Sequence, residues 1–262
     1  MALVNKLSTD SLFLMFTLRP LLKTGYRIYS YLIYLFRLPV FFPSLFGLDP
    51  FILDTLKRNS KVVHIGASNG QERHLYKMLD LSVLWVEAIP SVYQDLLRNT
   101  KNFNNQDVIL ALLSESVGNV MTFYVTNNNG MSSSIFPLKD HLQLWPNVLA
   151  QEEILLTTDT LDNILIDHSF LASTPSAILI LDTQGSELLV LKGAIVSIIK
   201  FRFIIVEAAD FESYDGSCTL DEIDNFMLYY KFQKVYQKSF RTALNVGSYF
   251  NVVYSNASYL ST

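Results

Sequence analysis

The sequence predicts a doubly wound α/β domain with a mostly parallel sheet, and three observations carry that expectation. Short apolar, β-rich runs alternate with helix-ready stretches from Lys61 onward, as repeated strand–helix–strand units do. One run, ILILD at 178–182, is continuously apolar, as a parallel strand covered on both faces must be. Polar and acidic residues stand at the ends of these runs, where open α/β sheets bind their ligands.

Taken in order, residues 62–65 form the first strand, followed by a loop with two glycines and a helix to about residue 79. Residues 83–87 (VLWVE) form the second strand, and Pro90 beyond it suits the first turn of a helix reaching about residue 101. A third strand spans 108–112. The alternating VMTFYV at 120–125 reads as an extra strand before the turn-rich NNNGMSSSIFP. A short strand at 154–158 and a helix at 161–166 lead to the 178–182 strand and a helix at 186–200. Then come a strand at 203–207 (FIIVE), a helix at 220–230, and closing strands at 232–236 and 250–254.

The chain has 262 residues, 50% of them hydrophobic, enough for one large core. A net charge of −4 gives no electrostatic footprint for nucleic acid, and no such partner is expected. The single cysteine, Cys218, excludes an intrachain disulfide and a cysteine zinc cluster. It fits a reducing compartment, so a cytoplasmic location is expected.

Charge is uneven. Residues 1–48 hold five basic residues and one acid, against fifteen basic and twenty-three acidic residues in 49–262. We therefore divide the chain into a hydrophobic, basic helical extension (1–48) and a main domain (49–262). Pro20, Pro39 and Pro43 break the extension into short helices. Its longest uncharged stretch is eleven residues, short of the roughly 20 that a membrane span needs. It also lacks the cleavage site of a signal peptide. Two readings stand. The helices pack on the main domain or form a homodimer contact; or they lie peripherally on a membrane, with Tyr26, Tyr29, Tyr31 and Tyr34 at headgroup level and Arg27 and Arg37 snorkelling.

The first strand ends in KVVHIGASNGQER, from Lys61 to Arg73. Gly66 and Gly70 let backbone N–H groups approach a ligand. Glu87, at the end of the second strand, is placed to accept hydrogen bonds from ribose hydroxyls. The loop lacks the third glycine of a dinucleotide fingerprint, Glu72 would repel a pyrophosphate, and there is no P-loop. A ligand with a ribose and no phosphates fits better. S-adenosylmethionine is one, and its sulfonium tolerates nearby carboxylates. Asp182 and Glu207 end two later strands; the plainer reading for both is a helix or turn cap.

An ordered set of stretches goes further: VVHIGASNGQE, WVEAIPSVYQDLLRN, ALLSESVGNVMTFYVTNNNGMSSSI, TLDNIL, LILDTQGSELLVLKGA and IIVEAADFESY. In these, residues from about 61 to 254 resemble the FkbM-type S-adenosylmethionine-dependent methyltransferases. The resemblance implies a class I methyltransferase fold, a Rossmann-like seven-stranded sheet with an antiparallel last strand. It also implies methyl transfer, often to a hydroxyl of a sugar or secondary metabolite, in pathways such as polysaccharide biosynthesis. By position, Gly66, Ala67, Ser68 and Gly70 match the cofactor loop, with His64 and Asn69 in the same stretch. Glu87, followed by Ala88, matches the ribose-binding acid, and Leu113 and Ser114 match the region flanking the adenine. Asp182 matches the acid of the D-x-[EQ]-G motif. Glu207 and Tyr214 match a second polar strand end, and Ser132 and Ser133 lie in the substrate-side loop. The chain departs from the common pattern at His64, where many members carry aspartate, at Ser68 in place of asparagine, and at Asn251 in place of an acid.

A sugar hydroxyl is a weak nucleophile and benefits from a positioned base. Asp182 is the first candidate, with Glu207 and His141 behind it; the plainer reading of His141 is a surface histidine. Gln184 opens the following helix and is a substrate-contact candidate with Tyr214. Glu187 is read as an acid favouring the helix N-terminus. Asp182 and Glu207 lack a clear third ligand, so no metal is expected. The expected partner is a small-molecule or glycan acceptor. Two other classes stay open: a non-catalytic scaffold that keeps the fold, and a nicotinamide-dependent oxidoreductase, against which the missing glycine argues.

Overall fold

The computed structural model describes residues 49–171 and 177–259. The expectations for residues 1–48 lie outside the described residues. The chain divides into a unit of residues 1–53 and a unit of residues 54–262. In the first, Asp49 caps the turn that follows it, its carboxylate accepting from the Phe51 N–H at 2.9 Å. Helix α1 is Pro50–Lys57.

The second unit is built on a seven-stranded sheet. Its strands are β1 (Lys61–Ile65), β2 (Ser82–Glu87), β3 (Gln106–Leu110), β7 (Ala177–Leu181), β8 (Phe201–Ala209), β9 (Phe232–Ala243) and β10 (Gly247–Asn256), in the order β3-β2-β1-β7-β8-β10-β9. The first five pair in parallel, and β10 runs antiparallel to both β8 and β9. This is the class I methyltransferase topology. The chain winds outward from β1 to β3, then restarts at β7 on the other side of β1. The carboxyl ends of β1 and β7 therefore flank a switch point, where a crevice opens.

Helices α2 (Arg73–Met78), α3 (Pro90–Thr100), α4 (His141–Leu144), α5 (Leu161–Asp167), α6 (Glu187–Lys192) and α7 (Leu220–Tyr229) connect the strands. Sequence dictates their starts. Pro90 occupies the first turn of α3. The Thr160 hydroxyl accepts from the Asn163 N–H at 3.2 Å to cap α5, and Thr219 and Glu222 form a capping box on α7. The core is aliphatic, with Val63, Leu84, Leu179 and Ile204 from four adjacent strands packed together at 1% exposure or less.

Three expectations are corrected. The short strand expected at 154–158 is β6 (Ala150–Asp159), which joins β4 (Leu112–Leu113) and β5 (Val120–Thr126) in a separate three-stranded sheet, β4-β6-β5. Its first four residues are exposed, so cross-strand pairing with β5 holds them and no apolar signal marks them. The helix expected over 186–200 stops at Lys192; a turn and a 3-10 helix at Ile198–Lys200 replace its second half. It ends at Gly193, its C-cap, where only glycine fits because a Cβ would lie 2.1 Å from the Ser114 carbonyl oxygen. Strand β9 runs seven residues beyond 236, as an exposed edge strand whose polar side chains hide it from a hydrophobic pattern. Among the described residues, no helix is long and apolar enough to cross a membrane.

Candidate active site

The β1–α2 loop turns sharply at Gly66, which has φ +76°. A Cβ there would lie 1.9 Å from the Asp182 carbonyl oxygen, so only glycine lets β1 and β7 end side by side. The N–H groups of Gly66 and Ala67 both donate to the Val86 carbonyl at 3.1 Å, binding the loop to β2. Ser68 sits in the left-handed region at φ +47°, and its N–H donates to Glu87 Oε2 at 2.8 Å. The other oxygen, Oε1, accepts from the Ile89 N–H at 2.8 Å. Glu87 is thus fixed by one backbone donor on each oxygen, with a lone pair on each left for a ligand.

Gly66, Ser68, Glu87 and Ile89 line an open cleft with a cavity volume of about 140 Å³. Gly66, Ser68, Glu87, Ala88, Leu113, Ser133, Asp182 and Gln184, all named from the sequence, lie on its wall. His64, Ala67, Asn69, Gly70, Ser114 and Ser132 are not on that wall and support it from behind. His64 stacks on Trp85 with ring centroids 5.0 Å apart, and its Nδ1 hydrogen-bonds the Tyr76 hydroxyl at 3.0 Å. Burial pulls its pKa down to about 4, which keeps the ring neutral. The Asn69 carbonyl accepts from Asn99 Nδ2 at 2.8 Å. Ser114 is tied into the side sheet, its N–H donating to the Asp159 carbonyl at 2.9 Å.

Sequence reasoning missed part of the wall. Ile89, Leu112 and Phe123 form one apolar cluster that opens onto the cleft; Phe123 gets there because β5 folds over into the side sheet. Gln71 and Met131 face each other across the mouth. The Thr183 hydroxyl, also on the wall, is buried with no hydrogen-bond partner, a group that a ligand would satisfy.

At the β7 end, Gln184 is the keystone. It holds a left-handed backbone at φ +55°. Its Nε2 donates to Asp182 Oδ1 at 2.6 Å, and its Oε1 accepts from the Tyr214 hydroxyl at 2.8 Å. Tyr214 is fully buried and lines neither the cleft nor the chamber beside it, so it acts here through Gln184. The Ser134 hydroxyl donates to the Gln184 carbonyl at 2.7 Å, tying the serine loop to the acid loop. Glu187 does more than face a helix end: it accepts from the Thr183 N–H at 2.8 Å and the Gly185 N–H at 3.0 Å, which shapes the turn.

Glu207 lines a smaller adjoining chamber, of about 10 Å³ in this structure, with Gln184, Glu187, Ser213 and Tyr249. Gln184 borders both spaces. His141 is not a surface histidine. It is buried behind the chamber, stacked on Trp145 at 4.5 Å, with Nδ1 2.8 Å from the Tyr249 hydroxyl. Burial lowers its pKa to about 4.

Burial also raises the acids. It moves Glu72, Glu87 and Glu187 from 4.5 up to about 7, with repulsion from Asp182 adding to each. Asp182 is raised by burial against its Gln184 hydrogen bond, and Glu207 is raised well above its ordinary value by burial and by Asp182 and Glu187. Such a cluster calls for a ligand with positive charge. The sulfonium and ammonium of S-adenosylmethionine carry such charge.

A carboxyl whose folded-state pKa lies above its unfolded value binds extra protons when folded, so its contribution to stability is lost as pH rises through the folded value. The ligand-free protein is therefore expected to melt about 5 °C or more lower near pH 8 than near pH 5. Added S-adenosylmethionine should narrow the gap, since its positive charges favour the ionised acids. Scanning fluorimetry across that range checks it; a flat or rising Tm contradicts the assignment of the buried acids.

Residues 64–234 match the Methyltransferase FkbM domain family. The chain belongs to that family, a class of methyltransferases whose methyl donor is S-adenosylmethionine. Solved structures that overlay on it include M. capricolum TrmK in complex with S-adenosyl-homocysteine, at 9% identity, covering 80% of this chain and 69% of that one, with a TM-score of 0.39. Aeropyrum pernix fibrillarin with natively bound S-adenosyl-L-methionine overlays at 10% identity, 76% and 68% coverage and a TM-score of 0.42. Magnesium protoporphyrin IX methyltransferase from Synechocystis PCC 6803 with bound SAM does so at 10% identity, 78% and 77% coverage and 0.40. A comparison with curated proteins returns no match.

Proposed function

We propose that this chain transfers a methyl group from S-adenosylmethionine to a hydroxyl oxygen of a sugar, glycan or comparable polyol. The observation that carries this reading is Gln184, whose side chain holds Asp182 at the border of the cofactor cleft and the adjoining chamber that Glu207 lines. Two carboxylates and an amide in one place make a hydroxyl-binding set, able to accept a proton and to orient a neighbouring oxygen.

S-adenosylmethionine, when bound, supplies a methyl group already activated on a sulfonium. The protein's task is then to hold the acceptor oxygen in line and to remove its proton. Asp182 borders the cleft and is half-buried; its raised pKa brings it toward the range where a carboxylate works as a base at neutral pH. Glu207, on the chamber side, orients the acceptor. Gln184 fixes Asp182, and Tyr214 fixes Gln184.

The test is a transfer assay with isotopically labelled S-adenosylmethionine against free sugars, oligosaccharides and amines. The expected product is a methyl ether, and acceptors with their hydroxyls acetylated should stay unlabelled. Label recovered only on nitrogen would overturn the hydroxyl assignment while leaving methyl transfer in place.

A further inference from the structure

At the end of β8 remote from Glu207, the residues leading into the strand form a projecting apolar tip. Ile195, Val196 and Ile199 are 52%, 64% and 63% exposed, in the turn and 3-10 helix between α6 and β8. Ile198, between them in sequence, and Ala194, just before them, are fully buried in the core. The tip is thus anchored, and its outward aliphatics do not serve the core. Ile166, also exposed, lies on α5 one turn beyond Asp162, on the same helix face.

Part of the tip's backbone is hydrogen-bonded within the protein. The Asp162 carboxylate accepts from the Val196 N–H at 2.9 Å and the Ser197 N–H at 2.7 Å. The Ile198 N–H donates to the Ala194 carbonyl at 2.7 Å and the Lys200 N–H to the Ser197 carbonyl at 2.9 Å. Asn256 Nδ2 donates to the carbonyls of Ile199 and Phe201, both at 3.2 Å. Each backbone group paired in this way enters an apolar medium without the cost of stripping it of water.

Charge separates the candidate partners. The stretch from Lys192 to Arg202 carries Lys192, Lys200 and Arg202 and no acid, although the domain around it is acidic overall. Lys192 pairs with Glu115 at 3.6 Å, both half-exposed. Exposed aliphatic side chains flanked in sequence by cations, with the nearby Asp162 carboxylate engaged by two backbone N–H groups, match a surface that is apolar below and anionic above. We infer that Ile195, Val196 and Ile199, flanked by Lys192, Lys200 and Arg202, insert into the interface of an anionic lipid membrane. The tip enters β8 at Phe201, six residues from Glu207, so at roughly 3.3 Å per residue the catalytic groups sit about 20 Å along the strand from the contact. This surface does not depend on the methyl-transfer reading.

The test uses the full chain and vesicles of phosphatidylcholine alone or mixed with phosphatidylglycerol. The protein should sediment with the mixed vesicles and be released by salt. An Ile195→Asp/Val196→Asp/Ile199→Asp variant should lose about tenfold or more in partitioning, with an unchanged circular dichroism spectrum. In a second arm, the Val196→Trp protein should shift its emission to the blue on mixed vesicles and be quenched by brominated acyl chains. Three results would overturn the inference: no binding by the wild type, equal binding by wild type and triple variant, or an indole that brominated lipid leaves unquenched. So would a triple variant whose only defect is a change from dimer to monomer, or a lowered Tm from loss of cover by residues 1–48.

Discussion

Glu87→Gln is expected to raise the dissociation constant for S-adenosylmethionine by about a hundred-fold, because two charge-assisted hydrogen bonds to the ribose are each weakened by a kcal/mol or more. The carboxylate is acceptor-only. It takes the Ser68 N–H on one oxygen and the Ile89 N–H on the other. An amide offers one acceptor oxygen, so its NH₂ group must face one of those two donors. The loop is then pushed off the geometry that aims it at the cofactor. Glu87→Asp, which keeps the charge on a shorter arm, should fall between the two. Calorimetric titration reads the affinity and a thermal melt reads the fold. An unchanged affinity in Glu87→Gln would remove the ribose assignment.

Asp182→Asn is expected to lower the rate of methyl transfer by about a hundred-fold, the lower end of what a positioned base supplies, while S-adenosylmethionine affinity changes less than about tenfold. Gln184 donates to Asp182 Oδ1, and asparagine can keep that bond through its carbonyl. The fold and the keystone survive; the proton acceptor does not. A loss confined to the turnover number, with affinity retained, separates a base from a cofactor ligand. Equal loss in both would reassign Asp182 to cofactor binding. The companion change Glu207→Gln should instead raise the acceptor KM more than it lowers the turnover number, since Glu207 lines the chamber rather than the main cleft.

The parts of this site that stand at strand ends were readable in the sequence. Gly66, Glu87, Asp182 and Glu207 each follow an apolar run that marks its own strand, and the doubly wound order puts all four ends on one rim of the sheet. What the sequence hides depends on long-range pairing. Phe123 reaches the cleft only because β5 pairs with β6, half of which is polar and exposed. His141 sits in the polar-looking KDHLQLW, yet Trp145, Tyr214 and Tyr249 surround it with aromatic rings. Tyr249 itself lies far along the chain, on the antiparallel β10 opposite Ala209. The seven residues that β9 adds beyond 236 are legible only from their partners on β10. In each case a neighbour distant in sequence, not local periodicity, decides the burial.

The most direct measurement of the central claim is a crystal structure of the full chain with S-adenosylhomocysteine and, in a second soak, a hydroxyl-bearing acceptor. The ribose hydroxyls should lie within hydrogen-bond distance of Glu87, the adenine against Ile89, Leu112 and Phe123, and the sulfur toward Asp182. The acceptor oxygen should sit between Asp182 and Glu207. Density for the cofactor product outside this cleft, or in it with Glu87 making no contact to the ribose, would contradict the site described above.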